Sequence, residues 1–268
     1  MKLFKWVFAV LGVILLGFVA VDAVYNIRYQ HRLGQLESQI HQEHVATVFV
    51  GGYGSSSRAF EQMTTHWQRA GIGGHRELVE VDHQGTLHFL GEQTPSTNQL
   101  IEVAFKDNRD PIIQMKLMQK IMHTLRVRQH ITDVNFVTHS MGGADAYSYL
   151  VSTHRNAQPR VRKWVAIASP FGQIHTKRPI GKQYNQMLQR ADRLPHDLKI
   201  LTIAGDIWHM GGDTEVSVKG VKALKPIVQS HIASYQNVVL NGDLLSVQHS
   251  ALRSNPEVIW RTAKFLYR

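Results

Sequence analysis

The stretch Asn135-Phe136-Val137-Thr138-His139-Ser140-Met141-Gly142-Gly143 sets a serine between small residues at what reads as a sharp bend. An apolar run, Val134 to Val137, leads in, and a helix-compatible run, Ala144 to Leu150, leads out. The pattern predicts strand, tight turn and helix with Ser140 at the turn. It carries the Ser-x-Gly half of a nucleophile elbow, with Thr138 at the upstream small position. At such an elbow the serine backbone is strained and its hydroxyl stands clear of the sheet. N–H groups at the start of the following helix can then meet a developing oxyanion. The same residues would also serve as a serine cap on an ordinary helix, so the turn alone does not decide.

A serine nucleophile needs a base, and the base needs an orienting acid. Where the nucleophile sits on a strand-turn-helix, the chain order is Ser, acid, His. After Ser140 come His154, His175, His196, His209, His231 and His249. Only His249 follows the last expected strand, in the loop Leu244 to Ser254 before a closing helix, and it is the candidate base. For the acid, Asp213 in Gly211-Gly212-Asp213-Thr214-Glu215-Val216 is favoured. Asp206, at the end of a strand after Gly205, is the alternative, though it could instead close a turn or bind a cation. Glu215 ranks third. The oxyanion donors are expected from the backbone: the N–H of Tyr53, in the glycine loop Gly51-Gly52-Tyr53-Gly54, and the N–H of Met141.

These residues need a frame. Val45 to Val50 is a continuous apolar run of the kind a buried strand makes, and it opens directly into the glycine loop. Phe60 to Ala70 reads as a helix. Glu77 to Asp82 and Thr86 to Leu90 read as a hairpin around His83-Gln84-Gly85. Further strands are expected at Leu100 to Phe105, Lys163 to Ala168, Lys199 to Ala204 and Val238 to Leu240. Helices are expected at Ile112 to Arg128 and Glu257 to Leu266. Strands alternating with helices imply an α/β fold, a mostly parallel sheet with helices on both faces. Gln173 to Asp197, basic and poor in strand formers, is a possible cap over the site or a plain surface connection.

Composition narrows the class. The chain has 268 residues, 43% of them hydrophobic, enough for one large domain, placed here at 45–268. It has no cysteine, which excludes disulfides and thiolate metal sites. The 16 histidines form no convincing metal set: His83 and His88 flank a turn, and His41 and His44 share a helical face without carboxylate support. No metal and no cofactor is expected. A formal net charge of +10 suits anionic lipid headgroups, cell-wall polymers or nucleic acid, but no nucleic-acid motif accompanies it, and the scattered positive residues read first as an ordinary solvated surface. Trp6 to Val21 carries no charge, and Lys2 and Lys5 precede it. Residues 1–25 therefore read as a signal anchor, favoured over a cleaved signal, with the domain outside the cytoplasm. Residues 26–44 read as a juxtamembrane helix or linker.

Taken together, the stretches Val48 to Ser55, Leu100 to Arg109, Val137 to Gly143, Ala168 to Gly172 and His249 to Val258 resemble a family of bacterial cell-surface α/β-hydrolases of unknown function. The resemblance spans roughly Val45 to the C-terminus. It implies an α/β-hydrolase fold, Ser140 as nucleophile, His249 as base and Asp213 as acid. The Phe105-Lys106-Asp107-Asn108-Arg109 run is its most distinctive stretch and has no catalytic role derivable from the residues. Two positions depart from the family pattern. The oxyanion loop, which usually begins His-Gly, is Gly51-Gly52, and the Asp-Gly of the acid loop is Asp213-Thr214. The expected function is a cell-surface serine esterase or lipase-like enzyme acting on a small or lipid-like acyl ester; amide and thioester substrates would use the same residues. Gly51 motivates an alternative, a catalytically impaired envelope-binding protein that keeps the fold.

Overall fold

A computed structural model describes residues 2–107, 110–152, 158–172 and 182–268. The chain begins with α1 (Lys2–Glu37). There follow β1 (Ala46–Val50), α2 (Glu61–Arg69), β2 (Arg76–Val81), β3 (Leu87–Gly91), β4 (Leu100–Phe105), α3 (Pro111–Arg128), β5 (Asp133–His139) and α4 (Gly142–Leu150). The second half runs β6 (Arg160–Ile167), α5 (Lys182–Leu188), β7 (Lys199–Ile207), α6 (Val218–Lys222), α7 (Lys225–Val228), β8 (Ser234–Gly242), α8 (Leu244–Val247) and α9 (Pro256–Tyr267).

The eight strands form one sheet in the order β3-β2-β4-β1-β5-β6-β7-β8. Every pairing is parallel except β2 with β3, the expected hairpin. Central strands are buried on both faces, and β1 accordingly has no exposed residue. One apolar layer packs α3, α4 and the segments 182–228 on one face of the sheet, around Phe136, Trp164 and Met118. The other layer packs α1, α2 and α9 on the opposite face, around Phe49, Trp67 and Leu33.

Local signals set the ends of α9. Asn255 accepts hydrogen bonds from the N–H groups of Glu257 and Val258, and Pro256 occupies the first helical turn. At the far end, Lys163 Nζ donates to the carbonyls of Phe265 and Leu266, 3.1 and 2.6 Å away. The Tyr267 hydroxyl shares a 2.6 Å hydrogen bond with Thr47 of β1.

Residues 26–37 continue α1, and Tyr29, Leu33 and Leu36 face the domain and are buried, while Ile27 is exposed. Arg32 pairs with Glu257 at 2.9 Å. Gln30 hydrogen-bonds His66 of α2 at 2.8 Å, and the His41 N–H donates to the Tyr267 carbonyl. Because Arg32 of α1 meets the start of α9 and His41, just after α1, meets its end, the two helices run in the same direction. Among the described residues, no helix is long and apolar enough to cross a membrane. The anchor expected over residues 1–25 falls on a stretch of α1 where most side chains lie outside the described set.

Residues 173–181, the first part of the expected cap, also lie outside the described residues; its remainder forms α5 and a short 3-10 turn.

Candidate active site

Ser140 follows the last residue of β5, and its φ of +54° puts a non-glycine residue in the left-handed region. The conformation is held from both sides: the Ser140 N–H donates to the Ile167 carbonyl of β6, and its carbonyl accepts from Gly143. Strain maintained by its surroundings is the structural signature of a nucleophile elbow. Met141, at φ −56° and ψ −30°, caps α4 and begins its helical turn. The helix N-terminus therefore lies beside the Ser140 hydroxyl.

The glycine loop after β1 comes against this turn. A Cβ on Gly52 would stand 2.6 Å from Ser140 Cβ and 3.2 Å from its Oγ, so only glycine lets the two backbones meet. Tyr53 follows immediately, with an exposed side chain.

The acid and base loops converge from β7 and β8. His249 Nδ1 donates to Asp213 Oδ2 at 3.0 Å, and the His249 N–H donates to the Asp213 carbonyl at 2.7 Å. The other carboxylate oxygen of Asp213 accepts from the N–H groups of Glu215 and Val216, at 3.1 and 2.7 Å. Both side chains are buried. With Nδ1 as donor, Nε2 keeps its lone pair. Among the described residues Nε2 has no hydrogen-bond partner, and the exposed Glu215 carboxylate is 3.6 Å away. Gly205 allows this convergence: a Cβ there would meet the Val247 carbonyl at 2.4 Å and Asp213 Cβ at 3.0 Å. Asp206 has a different task. Its carboxylate accepts from the Gly211 N–H at 2.6 Å and closes the turn at the end of β7. Of the two aspartates left open by the sequence, Asp213 is the one bonded to His249.

One residue escaped the sequence reading. His139, buried beside Ser140, donates through Nε2 to the His249 carbonyl at 2.9 Å, and the two rings lie 4.5 Å apart. Burial, helped by the neighbouring His249 and Arg253, holds His139 well below the ordinary histidine range, so it is a neutral donor. Its adjacency to Ser140 was the only available signal.

A cavity of about 300 Å³ opens beside the acid loop, between Trp208, Met210, Leu244 and residues 211–217. A larger one, about 490 Å³, lies among Lys163, Lys199, Lys264 and Arg268 at the opposite edge of the sheet, and none of the residues above lines it. Among the described residues, no cluster of three or more histidines and carboxylates could hold a metal.

The alpha/beta hydrolases of unknown function (DUF915) match residues 35–268. The chain belongs to that family. Solved structures with the same fold include a gene product of Listeria innocua, at TM-score 0.77 and 22% identity over 83% of this chain and 93% of that one. A Lactobacillus plantarum protein that carries the name of a cell surface hydrolase follows at TM-score 0.68 and 20% identity, over 82% and 89%. A lipase-esterase related protein of Clostridium acetobutylicum reaches TM-score 0.51 at 12% identity, over 83% and 94%. No curated protein matches the chain. At these identities the structures share a fold with this DUF915 member, and its chemistry has to be argued from its own residues. The distinctive family stretch after β4 is described only in part, since residues 108 and 109 lie outside the described set.

Proposed function

We propose that this DUF915 protein is a serine hydrolase of the cell envelope that cleaves carboxylic esters. The observation that carries the reading is the left-handed Ser140 at the end of β5, together with the buried His249–Asp213 pair that follows it in chain order. Ser140 Oγ attacks the ester carbonyl while His249 Nε2 takes its proton. Asp213 fixes the imidazole tautomer and stabilises the imidazolium. The N–H groups of Tyr53 and Met141 receive the oxyanion. His249 then returns the proton to the leaving alcohol, and water, activated by the same imidazole, releases the acid.

A fluorophosphonate probe tests this directly. The wild-type protein should be labelled covalently, and Ser140→Ala and His249→Ala should not. An unlabelled, folded wild type would leave the binding-protein reading, which rests on Gly51 standing where the family has histidine.

Attachment to the envelope is supported by the uncharged stretch Trp6 to Val21 and by the exposed apolar side chains Trp6, Val13, Leu16 and Ile27 along α1. Fractionation should find the full chain in membranes and a chain beginning at Asn26 in the soluble fraction; the full chain in the soluble fraction would refute attachment.

A further inference from the structure

The direction in which α1 leaves the domain bears on the substrate. Tyr29 and Gln30 lie against His66, five residues into α2, and Arg32 reaches Glu257 at the start of α9. Both α2 and α9 begin at the C-terminal edge of the sheet and descend from it. α1 descends alongside them, so its earlier residues project past that same edge. Residues 2–24 at about 1.5 Å each make a projection of roughly 35 Å. The C-terminal edge is also where Ser140, Asp213 and His249 lie.

A set of exposed apolar residues rims that edge. Tyr53 follows β1, Trp208 and Met210 follow β7, and Leu244 and Leu245 follow β8. Their exposures are 64, 62, 72, 47 and 87%. A soluble surface seldom collects so many large apolar groups at one edge. Trp208 and His209 are both left-handed, at φ +47° and +60°, so the turn that presents Trp208 and Met210 is strained. The cavity beside the acid loop opens among Trp208, Met210 and Leu244.

We infer that the active-site edge rests on the bilayer that holds α1, with the apolar rim inserted among the headgroups, and that the substrate is an acyl ester of a lipid in that bilayer. The occupant follows from continuity: α1 carries exposed apolar residues past the same edge that the rim lines. The substrate half rests on the serine-hydrolase reading; the docking half does not. In the substrate half, the bond from Ser140 Oγ to the lipid acyl carbon forms as the ester C–O bond breaks. The lipid alcohol leaves with the proton from His249.

The cysteine-free chain permits a clean test. Leu245→Cys, and Lys199→Cys at the opposite edge, each carry one environment-sensitive fluorophore on the full chain in phosphatidylglycerol vesicles. The label at 245 should shift to the blue, be quenched by a nitroxide on the lipid headgroup and be shielded from iodide. The label at 199 should stay open to iodide. Equal iodide access at both positions overturns the docking. Shielding at 245 that arises in detergent without lipid and grows with protein concentration means a second copy covers the rim, and also overturns it.

The Leu245→Asp variant, outside the cavity lining, should lose tenfold or more in turnover of a vesicle-borne lipid ester while turnover of a soluble short-chain ester is unchanged. Equal loss on both, or loss on neither, overturns the substrate half. A wild type that cleaves neither ester removes the hydrolase reading and with it the substrate half, while lipid quenching at 245 still establishes the docked face.

Discussion

At the scale of single residues, backbone strain falls on the proposed nucleophile. Ser140 occupies a left-handed conformation that glycine adopts freely, so Ser140→Gly should be more stable than Ser140→Ala by about 1 kcal/mol, with both inactive. Denaturant unfolding of the two variants measures the difference. Thr214 makes a second case. Its φ of +88° is an outlier for a β-branched residue. Thr214→Gly should stabilise the fold by about 1 kcal/mol, read as a raised midpoint in the same titration. For the acid, Asp213→Asn should lower kcat by about 10³–10⁴, and Asp206→Asn should leave it within a few-fold, because Asp206 holds a turn. The residue types and chain order pointed to Ser140 and His249, but not to a single acid. Choosing between two aspartates seven positions apart requires knowing where Gly205 lets the chain pass. The His139–His249 contact spans 110 positions and was invisible in the sequence. Gly51 has a counterpart that was equally hidden: a Cβ there would meet Ser55 Oγ at 2.2 Å and its Cβ at 2.8 Å. Ser55 occupies the space beside Gly51, so a histidine restored at 51 needs Ser55 to yield.

Among the elements, the first turn of α4 contains a charge problem. Asp145, in the first turn of α4, is fully buried, and among the described residues neither carboxylate oxygen has a hydrogen-bond partner. Burial pushes its carboxyl up to about 7 from 3.8. A raised carboxyl contributes its stability below the unfolded value and loses it as pH rises toward the folded value. The native state thus suffers most above pH 7. Asp145→Asn should stabilise the domain by roughly 2–3 kcal/mol more at pH 8 than at pH 5, as seen by thermal unfolding at the two pH values. An Asn variant with no such pH dependence would mean the carboxyl is paired. The elements themselves were largely legible, since buried parallel strands read as apolar runs and α9 announces its start with Asn255-Pro256. The extent of β8, Ser234–Gly242, was underread because it is an edge strand whose residues are only partly buried. Its polar positions hid the pattern that marks the central strands.

On the scale of the molecule, α1 belongs to both the domain and whatever lies beyond it. Removing residues 2–25 should leave the midpoint of unfolding nearly unchanged. Removing residues 2–37 also removes Tyr29, Leu33 and Leu36, each worth about 1.5–3 kcal/mol when buried, and should lower stability by several kcal/mol. The Thr47–Tyr267 bond and the packing of α1 on α9 have a temporal meaning as well. A ribosome delivers β1 more than two hundred residues before the helix that covers it, so the first half of the chain cannot close its sheet face alone. Contacts of such long sequence separation make folding slow and late. The layer on that face is therefore completed only when the last helix is released, after the opposite layer has all its parts.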